Sequence, residues 1–457
     1  HSSYVLESSG VRLLCDPWLE GTAFNDGWAL LSPSTFSYED FAGITHLWFS
    51  HEHPDHFSPA NLRKIAPDHR QRITVLYQRT ADKRVVDFCR KLGFGEVREL
   101  DPGRLYDIGP GFEICVTPCV GFEDSWLYVR TPETTLLNVN DCGLNERDEL
   151  QSIKAEFGRI DVLTTQFSVS AWDGNRDEIE RLRAGARSML ERAILQCEVL
   201  EPRFVVPFAS FIWFCHEENA YMNQAFLGLD EVERAFRERT RAVPVLMYPG
   251  DEWTMGRPAP TADAVARYLA DQASLPTRPL AKATTVARED LVEASRGFCR
   301  LLCEGSDESR VRLSLAAQSY RQCRGRGQSR GISTQVRDVV RLARLEVEPP
   351  RVFVTDHGAS YLFHPMRGLE LATLPRESCD IEIGSESLHY AFKFPWGGQT
   401  LMINGRFHEL HPGAREGLFG YFHMAANRSA GRVLTWRSLP NDLARTAASV
   451  LALLGLS

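Results

Sequence analysis

Residues 51–56 read His-Glu-His-Pro-Asp-His, and four of these six side chains are potential metal ligands. In extended chain, residues i and i+2 share a face, so His51 and His53 can converge on one ion. Pro54 and Pro59 keep a helix from starting at once. The turn between them sends Asp55 and His56 the other way, towards a neighbouring ion. Two imidazoles for one metal, and a carboxylate plus an imidazole for a second, make half of a dinuclear site. A histidine-rich surface loop is the bland alternative. Four ligands in H-x-H-x-D-H spacing directly after the apolar run His46-Leu-Trp-Phe-Ser50 favour metal over that alternative.

Such a turn needs a rigid scaffold. The 457 residues are too many for one ordinary core, so two or three domains are expected. A composition 43% hydrophobic and 25% charged is that of a globular protein. The formal net charge of −8 argues against nucleic-acid binding, and no run reaches the roughly 20 apolar residues of a membrane span. The chain begins at His1 inside a strand-like pattern, so residues are expected to be missing before it, and a lost leader stays open. The 11 cysteines are scattered, without C-x-x-C spacing. They read as buried thiols of a reducing, cytoplasmic compartment, not as a disulfide framework.

Three textures follow one another. Over 1–255, short β-rich runs alternate with turns: VRLLCD, THLWFS, ITVLYQ, FEICVTP, SWLYVRT, TTLLNVND, DVLTTQF and RFVVPF. Thr131-Pro-Glu-Thr134 is a turn, which makes 125–141 a hairpin, and 176–200 has a helical pattern. Residues 256–345 are helical, with TADAVARYLADQA and REDLVEASRGFCRLLCEG, and include a basic, glycine-rich loop at 321–331. Residues 346–457 return to strands (RVFVTD, SYLFHP, DIEIG, LHYAFKF, QTLMING), with a final helix near 440–455.

The His51–His56 turn resembles that of the metallo-β-lactamase-fold superfamily, over roughly residues 1–255. Cys15-Asp16-Pro17-Trp18 after an early strand supports the likeness. The HSSYVL start, LLNVNDC and PFASF with a later His are similar to the CMP-N-acetylneuraminate hydroxylase branch. The resemblance implies an α/β fold, an αββα sandwich with metals at one edge between the sheets. It also implies that Asp141, after Leu-Leu-Asn-Val-Asn, is a bridging ligand, although a turn Asp is the alternative reading. His216, the only His between 70 and 356, matches the last ligand, with Glu217 and Glu218 as orienting partners or solvated charges.

One departure matters. Hydrolytic members place a third His on the first metal, and Val120 stands at that position here. The nearest donors are Glu123 and Asp124. A Glu in this place resembles the diiron monooxygenases of antibiotic pathways, of the chloramphenicol and platensimycin types. A carboxylate replacing imidazole makes the site harder and more anionic, which favours iron over a zinc Lewis acid. His51, His53 and Glu123 would then hold one iron, and Asp55, His56 and His216 the other, with Asp141 bridging. Asp124 is the helper or substitute of Glu123.

The implied function is a non-haem diiron monooxygenase that hydroxylates a C–H bond with O2 and external electrons. The alternative is a zinc or manganese hydrolase of an ester, thioester or phosphodiester. No Rieske-type Cys/His set is present, so a separate electron donor is expected. Trp18, Trp48, Phe122, Trp126, Trp172, Phe211 and Trp213 could line an apolar pocket, though each is also an ordinary core aromatic. The C-terminal stretch DIEIGSESLHYAFKFPWGGQTLMINGRFHEL resembles a sterol-carrier-protein-like segment, a small α/β domain suited to covering an apolar acyl or terpenoid substrate. The Arg/Gly loop could hold the phosphate of a thioester carrier such as CoA, or be a solvated loop. A homodimer is compatible with all of this.

Overall fold

The computed structural model describes residues 1–119, 124–169, 171–304, 311 and 349–429. The chain divides into two compact units, His1–Ala281 and Lys282–Ser457. The first contains helix Thr261–Ser274, and the second contains helix Arg288–Cys303.

In the first unit, one five-stranded sheet runs in the order Tyr4–Ser8, Val11–Cys15, His46–Trp48, Thr74–Gln78, Glu96–Leu100. The first pair is antiparallel and the rest are parallel. A seven-stranded sheet runs in the order Val243–Pro244, Phe204–Phe208, Val162–Gln166, Thr135–Asn140, Ser125–Arg130, Phe112–Pro118, Leu105–Gly109.

The two-residue period of a strand sorts side chains between layers. Leu13, Cys15, Trp48 and Leu76 face inward and meet Ile114, Val116, Leu127, Val129 and Val162 of the other sheet. Their neighbours Leu14, Leu47, Phe49 and Val75 face outward against Leu62, Val85 and Cys89 of two helices. On the far side, Phe157 of helix Arg147–Phe157 meets the rings of Trp126 and Tyr128. The result is the expected αββα sandwich. All eight strands read over 1–255 are present, as is helix Ile179–Leu200. The 125–141 hairpin pairs Arg130 with Thr135 across the Thr131–Thr134 turn.

The cysteine reading is corrected at one pair: Cys119 and Cys142 form a disulfide. The cause is the strand pairing. Cys119 follows strand Phe112–Pro118 and Cys142 follows strand Thr135–Asn140, and both strands pair antiparallel with Ser125–Arg130 between them, so their ends lie on the same side of the sheet. The other described cysteines form no disulfide among the described residues.

The second unit is α/β. Its sheet runs Gly368–Ala372, Ala359–His364, Arg351–Val354, Ile381–Ile383, Phe407–Glu409. Two strand readings fail here. LHYAFKF lies in helix Ser385–Lys393, whose Leu388, Ala391 and Phe392 are buried at i, i+3 and i+4. QTLMING lies in helix Gly397–Asn404, which ends at Gly405 with φ +64°. A helix not read from sequence spans Glu416–Ser429. The expected helix near 440–455 and the 321–331 loop lie outside the described residues. Among the described residues, no helix is long and apolar enough to cross a membrane.

Candidate metal centre

Strand His46–Trp48 ends in the middle of its sheet, and the next residues form a tight turn. The N–H groups of His56 and Phe57 both donate to the His53 carbonyl, at 3.0 and 2.7 Å. Ser58 then caps helix Pro59–Lys64. Asn61 of that helix accepts from Leu19 N–H at 2.7 Å, tying the segment after Asp16 to the turn.

Three groups of potential ligands meet here. In the first, His51 Nε2 lies 2.8 Å from His53 Nδ1 and 3.6 Å from Asp124 Oδ1. In the second, His51 and His56 share Asp141, whose Oδ2 lies 3.2 Å from His56 Nε2. In the third, Asp55 Oδ2 lies 3.2 Å from His56 Nε2 and 3.0 Å from His1 Nε2. The His51 and His56 rings stand 4.2 Å apart, so the groups form one continuous centre. Asp141 belongs to the group that spans both rings, as a bridging carboxylate would.

Hydrogen bonds at the outer ring nitrogens turn the inner ones towards the centre. Asp16 is fully buried. It accepts from Ser50 N–H at 2.8 Å, Ser50 Oγ at 2.8 Å, Asn140 Nδ2 at 2.7 Å and His56 Nδ1 at 3.0 Å. The His56 proton is thereby assigned to Nδ1, leaving a lone pair on Nε2. Ser50 Oγ spends its proton on Asp16, so it accepts from His51 Nδ1 at 2.9 Å, and His51 Nε2 also keeps its lone pair. Asn140 reaches Asp16 because it sits at φ +47°, where the ladder register shifts between Asn138 and Asn140. Gln166 Nε2 donates to Asp141 Oδ1 at 3.2 Å, and Arg192 holds the Gln166 carbonyl at 3.1 Å.

The charges also call for a cation. Burial pushes His51 down, and the charges of His56 and His53 push it further, so it is a neutral donor. Burial opposes a charge on His56, but Asp55, Asp141 and Asp16 outweigh burial and raise it. Burial alone would raise Asp55 and Asp141, yet His56 holds both carboxyls low. Burial pushes Asp124 up. His56 Nε2 and Asp55 Oδ1 are buried with no aligned hydrogen-bond partner among the described residues. In the metal-free site a second proton on His56 Nε2 balances these carboxylates, and a metal ion at Nε2 would take that proton's place.

Of the residues read from sequence, His51, His53, Asp55, His56 and Asp141 come together. Glu123 lies outside the described residues, and Asp124 stands beside His51 instead. His216 is buried but joins none of the three groups found among the described residues. Its N–H donates to Asn219 Oδ1, its Nδ1 accepts from Glu218 N–H at 3.2 Å, and it bridges to Ala281. Of the aromatic set, Trp18 is beside His1 at 6.0 Å. Trp48 is in the core between the sheets, Trp126 packs on Phe157, and Phe211 stacks on Tyr268. Phe122 lies outside the described residues. Sequence reading missed His1, Asp16 as a partner of His56, Ser50, Asn140, Gln166, and the rings of Phe24 and Trp28, which edge His53 and His1. The DPW motif was the one signal pointing to Asp16.

Residues 1–118 match the model of the beta-lactamase superfamily domain. Over 183 residues the chain is 30% identical to a protein of Mycolicibacterium smegmatis provisionally named a Rieske 2Fe-2S iron–sulfur protein, covering 38% of this chain and 34% of that one. It is 26% identical over 216 residues to a metal-dependent hydrolase of Pyrobaculum neutrophilum, covering 45% of this chain and 80% of the hydrolase. It is 23% identical over 269 residues to cytidine monophosphate-N-acetylneuraminic acid hydroxylase of Mus musculus, covering 56% and 46%. Among solved structures, CmlA, a diiron beta-hydroxylase from Streptomyces venezuelae, aligns over 53% of this chain and 51% of its own, at 18% identity and a TM-score of 0.38. The chain spans about a third of the length of the mycobacterial relatives it matches. Residues 1–118 carry a beta-lactamase superfamily domain, and the αββα sandwich around them has the metallo-β-lactamase fold.

Proposed function

We propose that this protein is a metallo-β-lactamase-fold oxygenase that holds two iron ions and hydroxylates a C–H bond of an apolar small molecule. One observation carries the reading: among the described residues a carboxylate, that of Asp124, stands beside His51 and His53, where hydrolytic relatives by resemblance place an imidazole. A site with several carboxylates is harder and more anionic, which suits iron in higher oxidation states better than zinc. His51, His53 and Asp124 would hold one iron, and Asp55 and His56 the other, with Asp141 between them; Glu123 is the alternative to Asp124. Bound iron supplies the reductive activation of O2, with electrons from a separate donor.

The chain's own residues prepare this centre. Asp16 and Ser50 keep the outer protons of His56 and His51 away from the metals. Gln166, braced by Arg192, aims Asp141. Trp18, Phe24 and Trp28 exclude water on the side of His1 and His53, and their apolar rings support an apolar substrate.

A second reading, zinc- or manganese-dependent hydrolysis, draws support from the alignment over 80% of the Pyrobaculum hydrolase. Metal analysis and an optical spectrum of protein from iron-supplemented cells separate the two. About two irons per chain, with near-ultraviolet absorption from bridged iron and substrate-dependent O2 uptake, is the expected result. Zinc at that stoichiometry, with no iron retained after anaerobic reconstitution, overturns the oxygenase reading in favour of the hydrolase.

A further inference from the structure

We infer that the imidazole of His1 is the third protein donor of the second metal ion, with Asp55 and His56, in the place the sequence gives to His216. The inference rests on the two-metal reading above and specifies one of its ligands.

Geometry carries it. The His1 side chain is 1% exposed, and its Nε2 lies 3.0 Å from Asp55 Oδ2. That oxygen lies 3.2 Å from His56 Nε2. Ligands bound at about 2.0–2.2 Å sit roughly 2.9–3.5 Å from one another around a tetrahedral or octahedral ion. Both spacings fall in that range, and all three donor atoms lie within 4.8 Å of each other. Asp55 Oδ1 and His56 Nε2 have no aligned hydrogen-bond partner among the described residues. An ion held by the three would partner His56 Nε2, which a hydrogen bond from His1 to Asp55 alone does not.

His1 is also held in place. Its carbonyl accepts from Ala209 N–H at 3.0 Å. Ser2 Oγ lies 3.2 Å from His56 Nδ1. Ser3 Oγ donates to the Asp16 carbonyl at 2.6 Å and accepts from Trp18 N–H at 3.1 Å. His1 and Ser2 thus meet the metal turn and Ser3 the Asp16–Trp18 segment behind it, and the rings of Trp18 and Trp28 flank the imidazole edge-on.

His216 is engaged differently. Its Nδ1 accepts a backbone N–H from Glu218. A neutral ring accepting at Nδ1 carries its proton at Nε2 and has no lone pair left for an ion.

Cobalt(II) titration of the metal-free full chain, without a polyhistidine tag, tests the assignment through the visible bands of the bound ion. Wild type is expected to take two equivalents. His1→Ala is expected to take one tightly, with the second weakened at least tenfold, while His216→Ala keeps two. His1→Gln supplies an N–H to Asp55 but no imidazole lone pair, so it should behave like His1→Ala. Retention of both equivalents in His1→Ala, rescue by His1→Gln, or loss of the second equivalent in His216→Ala overturns the inference while the two-metal reading stands. Fewer than two equivalents in wild type overturns the two-metal reading itself. If His1→Ala fails to fold, the wild-type, His1→Gln and His216→Ala titrations decide.

Discussion

Asp16→Asn is a sharp test of how the centre is built, because it changes one oxygen for one N–H and leaves the volume almost unchanged. Asp16 Oδ1 accepts from Ser50 N–H, and Oδ2 accepts from Ser50 Oγ, Asn140 Nδ2 and His56 Nδ1. An amide has one oxygen. Placed at the Oδ2 position, it keeps three bonds but points its NH2 at the Ser50 N–H. Placed the other way, the NH2 faces three donors, which is worse. The better arrangement therefore strands at least one buried donor, at a cost of about 1–3 kcal/mol. Removing a buried charge returns part of this, so about 1–2 kcal/mol is expected for the metal-free protein. The second effect falls on the metals. The change replaces the charged acceptor at His56 Nδ1 with a neutral amide oxygen, which holds the tautomer less firmly, and weakening such an orienting partner lowers metal affinity by about 10- to 100-fold. Urea unfolding with chelator present reads the first effect through tryptophan fluorescence, since seven of the nine tryptophans lie in His1–Ala281. Competition against a chromophoric chelator reads the second. If stability changes by less than about 0.5 kcal/mol and metal affinity by less than threefold, Asp16 is not the orienting group argued here.

Other substitutions probe neighbouring parts of the reasoning. His53→Ala should lose one metal equivalent by elemental analysis, yet cost under about 1 kcal/mol in urea, because the ring is only half-buried and truncation strands no core group; two retained equivalents would refute its role. The Cys119–Cys142 bridge closes a loop with a sequence separation of 23, worth about 3 kcal/mol by chain entropy. Cys142→Ser should therefore lower the urea midpoint markedly, and dithiothreitol should do the same to wild type but not to the variant. In the second unit, burial alone would raise the Asp356 carboxyl, but the hydroxyl and N–H of Ser385 outweigh it and hold the carboxyl low. A depressed value stabilises the fold above the unfolded carboxyl range and fades as pH falls through the folded value, below about pH 4. Asp356→Asn should lower stability at neutral pH and flatten the acid dependence in that window; an unchanged pH profile would count against the pairing.

What the sequence made legible was local. The H-x-H-x-D-H turn, the strands of 1–255 and the 125–141 hairpin each declare themselves within about twenty residues. LHYAFKF and QTLMING were misread because short apolar runs suit either period, and only packing decides between them. There the burial of Leu388, Ala391 and Phe392 on one helical face decided. The Cys119–Cys142 pair has no spacing signal at all, since it depends on hairpin register rather than on the distance between the cysteines along the chain.

The centre itself is the least local feature, and this explains which residues were missed. His51–His56 supply donors from one turn, but the groups that select their lone pairs come from elsewhere: Asp16 at the end of one strand, Asn140 at a bulge in the other sheet, and Gln166 on a third segment. Each is an ordinary polar residue in the sequence. Each acquires its meaning only because the parallel ladder Val11–Cys15, His46–Trp48 puts Asp16 beside Ser50, and the facing sheet brings Asn140 to the same oxygen. His1 shows the same logic most plainly. Alone it is one histidine in HSSYVL. It becomes a neighbour of Asp55 because strand Tyr4–Ser8 pairs antiparallel with Val11–Cys15, Tyr4 opposite Cys15, which sets His1–Ser3 down beside Asp16 and the metal turn. A one-residue slip in that ladder would turn Tyr4 and Leu6 over and carry Ser2 and Ser3 away from their partners. Strand register, more than the metal motif, thus decides whether a second ion would find its full set of donors.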